Sequence, residues 1–407
     1  MNSITIKTCE GGVTAPMGFT ATGVSAGIKK SGNPDLGLLY SQVRCAAGAV
    51  YTTNQLKGES LIVTMMNLSD GHAQAVVANS GNANACTGER GILDAREMAR
   101  TVGRLLGIPA QDVVVASTGL IGEFLPLPKI REGMELAVPK LSPEGGSLLA
   151  QAIMTTDTVP KIASYRVTVA GRSFTLGGVA KGSGMIHPNM ATMLAFLTTD
   201  VRLSPENLGR MLSRVAGKTF NRITIDRDTS CCDMVVLLAN GLTVGEEIEP
   251  RSELGRAFED GLTALCKDLS RQLVCDGEGT TKVAEIICRG ARDDVQAKQI
   301  AESVATSMLV KTAIFGGDPN WGRIVNAAGY SGVPFDLTKL DLWIGSVKVF
   351  SGGMRTEYDE QEVAEIFAQK EIRIVLNLNR GYGEAEYLTS DLSHEYVRIN
   401  SDYSHRT

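Results

Sequence analysis

The chain has 407 residues and a formal net charge of −5, with 43% hydrophobic and 21% charged residues; that is length enough for two domains, with no basic excess for a nucleic-acid backbone. No apolar run reaches the roughly 18 residues of a membrane span, and the opening MNSITIKTCEGGVTAP lacks a basic and apolar leader. A cytoplasmic protein with neither nucleic-acid nor membrane partner is expected. The 8 cysteines contain no C-x-x-C pair and the 4 histidines no ligand spacing, so no metal site is expected either.

Residues 92–106 carry Ile92, Ala95, Met98, Ala99, Val102 and Leu106 on one helical stripe, stopped by Gly107-Ile108-Pro109. Short β-branched runs at 112–116, at 165–170 turning at Gly171 into 173–179, at 222–226 and at 234–239 read as strands. Ser204-Pro205-Glu206 opens a helix with an N-cap, a first-turn proline and an acid at the positive end of the dipole. A third helix spans 252–273. The polar string Arg289-Gly290-Ala291-Arg292-Asp293-Asp294 breaks the pattern, and we set a boundary there, with one domain over 1–288 and a smaller α/β domain over 289–407. The second part offers helices at 299–310 and 361–369 and strands within 342–350 and at 372–378.

The string KGSGMIHPNMATML from Lys181 runs a glycine-rich loop into Ala191, Thr192 and an apolar strand-like segment. A threonine hydroxyl is a poor nucleophile without a base. Cleavage of the Ala191–Thr192 bond would supply one, because a free α-amine has a pKa of about 7.7–8.0 and can take the hydroxyl proton. The plain alternative is that this segment only begins a buried strand. Four other strings bear on the choice. Ser117-Thr118-Gly119 ends a strand, where the Thr118 hydroxyl and the Gly119 N–H can face a developing oxyanion, or where the chain simply makes an ordinary strand–turn, by itself the commoner case. Met154 precedes Thr155-Thr156-Asp157-Thr158, a helix cap or a grip for a carboxylate. Asp276-Gly277-Glu278-Gly279 holds a carboxylate between glycines, suited to an ammonium or simply an acidic turn. NSGNANACTG from Asn79 reads as a hydrogen-bonded turn framing a site, or a polar loop.

These strings, with KTAIFGGDPNWGRI from Lys311, resemble the ornithine acetyltransferase family, also called the bifunctional glutamate N-acetyltransferase and amino-acid acetyltransferase family, from the first hundred residues to the C-terminus. The resemblance implies an α/β fold, a layered α-β-β-α sandwich with a smaller C-terminal α/β domain. It implies a precursor cut between Ala191 and Thr192 into α and β chains that assemble as a heterotetramer with two of each. It implies an acetyltransferase of arginine biosynthesis in which Thr192 takes acetyl from N-acetylornithine and passes it to glutamate by a ping-pong route. Thr118 and Gly119 then form the oxyanion hole, and Thr155, its neighbour Thr156, Lys181, Thr192, Glu278, Asn400 and Thr407 contact substrate. No cofactor is implied, and acetyl-CoA stays open as a co-substrate.

Two departures are local. The tail after Asn400 is longer than the family's ending, and Asp226-Arg227-Asp228-Thr229-Ser230-Cys231-Cys232-Asp233 carries Arg227 where glycine is expected, together with an atypical cysteine pair. Two other readings remain: a threonine-nucleophile amidohydrolase or aminopeptidase of similar architecture, and a non-catalytic amino-acid-binding protein.

Overall fold

A computed structural model of the chain describes residues 4–187, 193–243 and 247–402. Within it the strand Met234–Ala239 is buried along its whole length, and its alternate side chains join two different cores. Val235 and Leu237 pack with Leu208 and Leu212 of helix Pro205–Ala216 and with Leu262, Leu265 and Leu269 of helix Glu253–Cys275. Val236 and Leu238 pack with Val13, Phe19, Leu149 and Ile153. The two-residue period of a strand makes this division, and an all-apolar strand is one covered on both faces. Each of these fully buried leucines contributes roughly 1.5–3 kcal/mol by leaving water.

Among the described residues that strand belongs to a nine-stranded sheet. Its order is Thr5–Thr8, Lys161–Val169, Arg172–Lys181, Leu194–Thr199, Met234–Ala239, Leu36–Tyr51, His72–Asn82 and Val113–Leu120, with Phe19–Val24 beside Leu36–Tyr51. A seven-stranded sheet runs Met354–Arg355, Val347–Ser351, Asp341–Ile344, Glu371–Asn377, Val283–Ala291, Gly383–Ser390 and Ile223–Thr224. Ile286, Ile374 and Leu376 of this second sheet share a core with Ile300, Val304, Ile314 and Phe367. Helix Glu253–Cys275 packs on strands of both sheets. The fold is a layered α/β sandwich, as expected.

The expected helices and strands are present, with informative differences. Ser204 and Ser252 cap their helices by accepting from the N–H groups of Asn207 and Gly255. The segment 299–310 is not one helix. Asp293 caps Asp294–Ala305, and Ser307 caps a second helix, Met308–Gly316, by accepting from Val310 N; a mid-run serine competes for the backbone and restarts the helix. The segment 222–226 is only the two-residue strand Ile223–Thr224, paired in parallel with Leu388 and Thr389. The division at 288/289 falls inside strand Val283–Ala291, and Ile223–Thr224 brings a piece of the first part into the second sheet. NSGNANACTG is part strand: His72–Asn82 carries its first four residues beside Val113–Leu120, because serine and asparagine there find hydrogen-bond partners in the interior.

Candidate active site

The strand Val113–Leu120 ends at the mouth of a cavity, and what fixes its end is polar. Ser117 Oγ donates to Asn79 Oδ1 at 2.7 Å and lies 2.8 Å from Ser60 Oγ, to which Asn84 Nδ2 donates at 3.0 Å. Thr118 and Gly119 follow. Gly119 has φ +134°, and a Cβ there would sit 2.3 Å from the carbonyl carbon of Gly81, so only glycine lets the two strand ends close at this point.

Lys181 ends the strand Arg172–Lys181 on the same cavity. Its ammonium donates to Thr155 Oγ1 at 2.7 Å and to Thr118 Oγ1 at 3.3 Å. Beneath it lies a buried charge cluster. Asp157 accepts from Gly182 N at 2.7 Å, from Thr155 N at 2.9 Å and from the wholly buried Lys161 ammonium, which also bonds Asp276. Burial alone would raise the Asp157 carboxyl, but the Lys181 and Lys161 ammoniums and the Thr155 N–H hold it at about 2.

Glu278 enters from the turn after helix Glu253–Cys275. Its N–H donates to Ser183 O at 2.8 Å, and its carboxylate accepts from Asn400 Nδ2 at 2.8 Å. A Cβ on Gly184 would stand 2.4 Å from Glu278 Oε2, so this glycine lets the carboxylate lie flat against the loop.

These elements enclose a cavity of about 450 Å³. Thr118, Gly119, Thr155, Thr156, Lys181, Glu278 and Asn400 all line it, as do Met193, Cys231, Cys232 and Asp233. The structure therefore brings together every site residue read from the sequence that it describes. Ala191, Thr192 and Thr407 lie outside the described residues. The chain is held tightly on either side of 188–192. Met185 N and Ile186 N donate to the Asp226 carboxylate at 2.6 and 2.8 Å, and Thr229 Oγ1 donates to His187 O at 3.0 Å. After the segment, Met234 N donates to Met193 O at 3.0 Å.

Sequence reasoning missed Lys161, Asp233 and the bracing role of Asp157 and Asp226. Asp157 was visible in its hydroxyl-rich string, but a cap was the commoner explanation; Lys161 carries no local signal at all. Asp233 is buried, its Oδ2 has no hydrogen-bond partner among the described residues, and burial pushes its pKa well up despite the Ser230 hydroxyl and the Lys181 charge. Among the described residues no three His, Cys, Asp or Glu side chains come together as a metal site, and no helix is long and apolar enough to cross a membrane.

Residues 20–405 match the ArgJ family. The chain belongs to that family. Relatives include the arginine biosynthesis bifunctional protein ArgJ of Symbiobacterium thermophilum, 47% identical over 395 residues, 97% of this chain and 98% of the relative. The protein of the same name from Geobacillus kaustophilus is 43% identical over 395 residues, 97% of this chain and 96% of that one. The crystal structure of arginine biosynthesis bifunctional protein argJ from Bacillus halodurans is 43% identical, covers 46% of this chain and 100% of its own, and has a TM-score of 0.44. As an ArgJ-family member the chain is an enzyme of arginine biosynthesis, a glutamate N-acetyltransferase.

Proposed function

We propose that the chain cuts itself between Ala191 and Thr192 and then moves acetyl from N2-acetyl-L-ornithine to L-glutamate through an acetyl-Thr192 intermediate. The observation that carries this reading is the cavity itself. Thr118, Gly119, Thr155, Lys181, Glu278 and Asn400, which stand up to 282 positions apart (Thr118 to Asn400), line one space of about 450 Å³ together with Met193, the chain neighbour of Thr192.

In the first half-reaction the Thr192 amine takes the proton of its own hydroxyl, and the oxygen attacks the acetyl carbonyl. The negative charge that forms is met by the Thr118 hydroxyl and the Gly119 N–H. Lys181 donates to a lone pair of Thr118 Oγ1, which leaves that hydroxyl's proton free to be donated onward and puts a positive charge behind it. The Thr192 ammonium returns the proton to the leaving nitrogen, and ornithine departs. In the second half the neutral amine of glutamate attacks acetyl-Thr192 by the reverse path. Lys181 suits the carboxylate that both substrates bear, and Glu278 suits the free side-chain ammonium of N2-acetyl-L-ornithine. Use of acetyl-CoA as an alternative donor, and assembly of the two chains as a heterotetramer, belong to the same proposal.

Intact mass of the purified protein under denaturing conditions, beside a Thr192→Ala variant, tests the cut. Two species, one ending at Ala191 and one starting at Thr192, are expected in the parent and a single full-length species in the variant. An uncut, folded parent overturns the mechanism. Incubation with acetylornithine and glutamate is expected to yield acetylglutamate; acetate in its place would mark an amidohydrolase.

A further inference from the structure

The pair Cys231-Cys232 is not used by the chemistry above, yet both residues line the catalytic cavity. Their sulfurs lie 3.5 Å apart, and Cys232 Sγ also donates to Ala83 O at 3.3 Å. Bonds to the main chain fix this convergence: Gly58 N donates to Cys231 O at 2.9 Å, Thr52 Oγ1 donates to Ser230 O at 2.9 Å, and Met234 N donates to Met193 O, just before the adjoining strand. Both side chains are buried and pack with Ala83 and Ala85; Ala83 and Lys181 line the same cavity, and the Lys181 charge acts on Cys232.

Adjacent residues joined by a trans peptide have α-carbons about 3.8 Å apart, short of the roughly 4.4–6.8 Å that an unstrained disulfide spans. The two sulfurs are thus poorly placed to bond each other and well placed to share one bridging atom. The ligand class that fits is soft and takes two thiolates. With no third ligating side chain completing a metal site among the described residues, a trivalent metalloid satisfied by two sulfurs and an organic substituent suits better than a four-coordinate metal ion.

We infer that Cys231 and Cys232 form a dithiol site for trivalent organoarsenicals in the wall of the catalytic cavity. The step is a condensation: two S–H bonds and the arsenic–oxygen bonds break, two As–S bonds form, and the oxide leaves as water with both protons. Arsenic stays trivalent and no redox partner is needed. The Cys232 thiol beside it lowers the pKa of Cys231, making Cys231 the first to attack, while the same contact and burial push Cys232 well up. The substituent on arsenic then projects into the cavity beside Lys181. That this blocks acetyl transfer rests on the function proposed above; the chelate itself does not.

Phenylarsine oxide added to the reduced full chain, read by intact mass and peptide mapping, tests the site. One adduct bridging Cys231 and Cys232 is expected, stable to excess 2-mercaptoethanol and removed by 2,3-dimercaptopropanol. The exposed Cys86 and Cys275 form at most single-thiol adducts that a monothiol removes. Cys231→Ser and Cys232→Ser are each expected to lose the bridged adduct, and if either fails to fold, the mapped bridge in the parent decides. Absence of a dithiol-specific adduct in the parent, or its mapping to other cysteines, overturns the site. Acetyl transfer is measured on the same samples: its loss with adduct formation and return with dimercaptopropanol are expected. A bridged adduct on a fully active enzyme overturns the blockade and leaves the chelate standing.

Discussion

The ammonium of Lys181 stands 3.3 Å from the hydroxyl oxygen of Thr118 while it donates to Thr155 at 2.7 Å. This places a positive charge beside the hydroxyl proposed as one oxyanion donor and, by occupying a lone pair of its oxygen, leaves its proton to be donated elsewhere. Thr118→Val should therefore lower kcat for acetyl transfer by about 100-fold, the usual loss for one such donor, with KM nearly unchanged. Steady-state kinetics with acetylornithine measure it; a large rise in KM at unchanged kcat would move Thr118 from the reaction to simple binding.

Glu278 and Asn400 meet at 2.8 Å, a charge-assisted hydrogen bond. Removing a bond to a charged group costs about 1.5–3 kcal/mol. Glu278→Gln should raise KM by roughly tenfold or more, and Asn400→Ala should raise it less, because water can replace one amide at the rim. Gly184→Ala tests the same contact from the other side: its Cβ would sit 2.4 Å from the Glu278 carboxylate, so KM should rise with little change in thermal stability.

Gly119→Ala should behave differently from Gly184→Ala. The atoms it would meet are backbone, the carbonyl carbon of Gly81 at 2.3 Å and Asn82 N at 2.6 Å, and its φ is +134°. The strand ends must part, at a cost of about 1–3 kcal/mol, and kcat should fall with stability. Denaturant midpoints beside kcat report both.

Asp157 and Asp233 give opposite pH signatures. The Asp157 carboxyl is held at about 2 by the Lys181 and Lys161 ammoniums against the opposing effect of burial, so its stabilisation is complete above the ordinary carboxylate range and is lost as pH falls toward 2, an amount on the order of 2 kcal/mol. Asp157→Asn should flatten that acid limb and destabilise the protein at neutral pH, since Lys161 then keeps, among the described residues, only Asp276 as a carboxylate partner. Asp233 is raised by burial, so the native state holds a proton that the unfolded chain gives up, and stability falls as pH rises above the ordinary carboxylate range. Asp233→Asn should remove that fall; urea midpoints between pH 4 and 8, roughly, that decline equally in parent and variant would count against it.

Much of the site was legible because its residues sit in short strings whose order along the chain is itself distinctive. Thr118-Gly119, Thr155-Thr156, Lys181 and Glu278 each stand in such a string, and helix caps at Ser204 and Ser252 act over three residues. Lys161 was not legible. Its partners are Asp157, four residues away, and Asp276, 115 residues away, and a lysine opening an alternating strand looks the same whether it meets water or two buried carboxylates. The break at Ser307 was missed for a similar reason: hydrophobic period continues across it, and only the hydroxyl's bond to Val310 N shows which of serine's two habits it follows.

By itself the sequence determined the chemical parts: which hydroxyls, glycines, carboxylates and ammonium the chain owns, the helices that local caps and period dictate, and the family whose strings these are. Tertiary structure decided their meeting. The contact between Glu278 and Asn400, that between Lys181 and Thr118, and the convergence of Cys231 and Cys232 on the same cavity depend on the register of strands such as Leu194–Thr199 against Met234–Ala239, and on helix Glu253–Cys275 packing against both sheets. Register and packing follow from burying many apolar side chains at once, a property of the whole chain that no short string records.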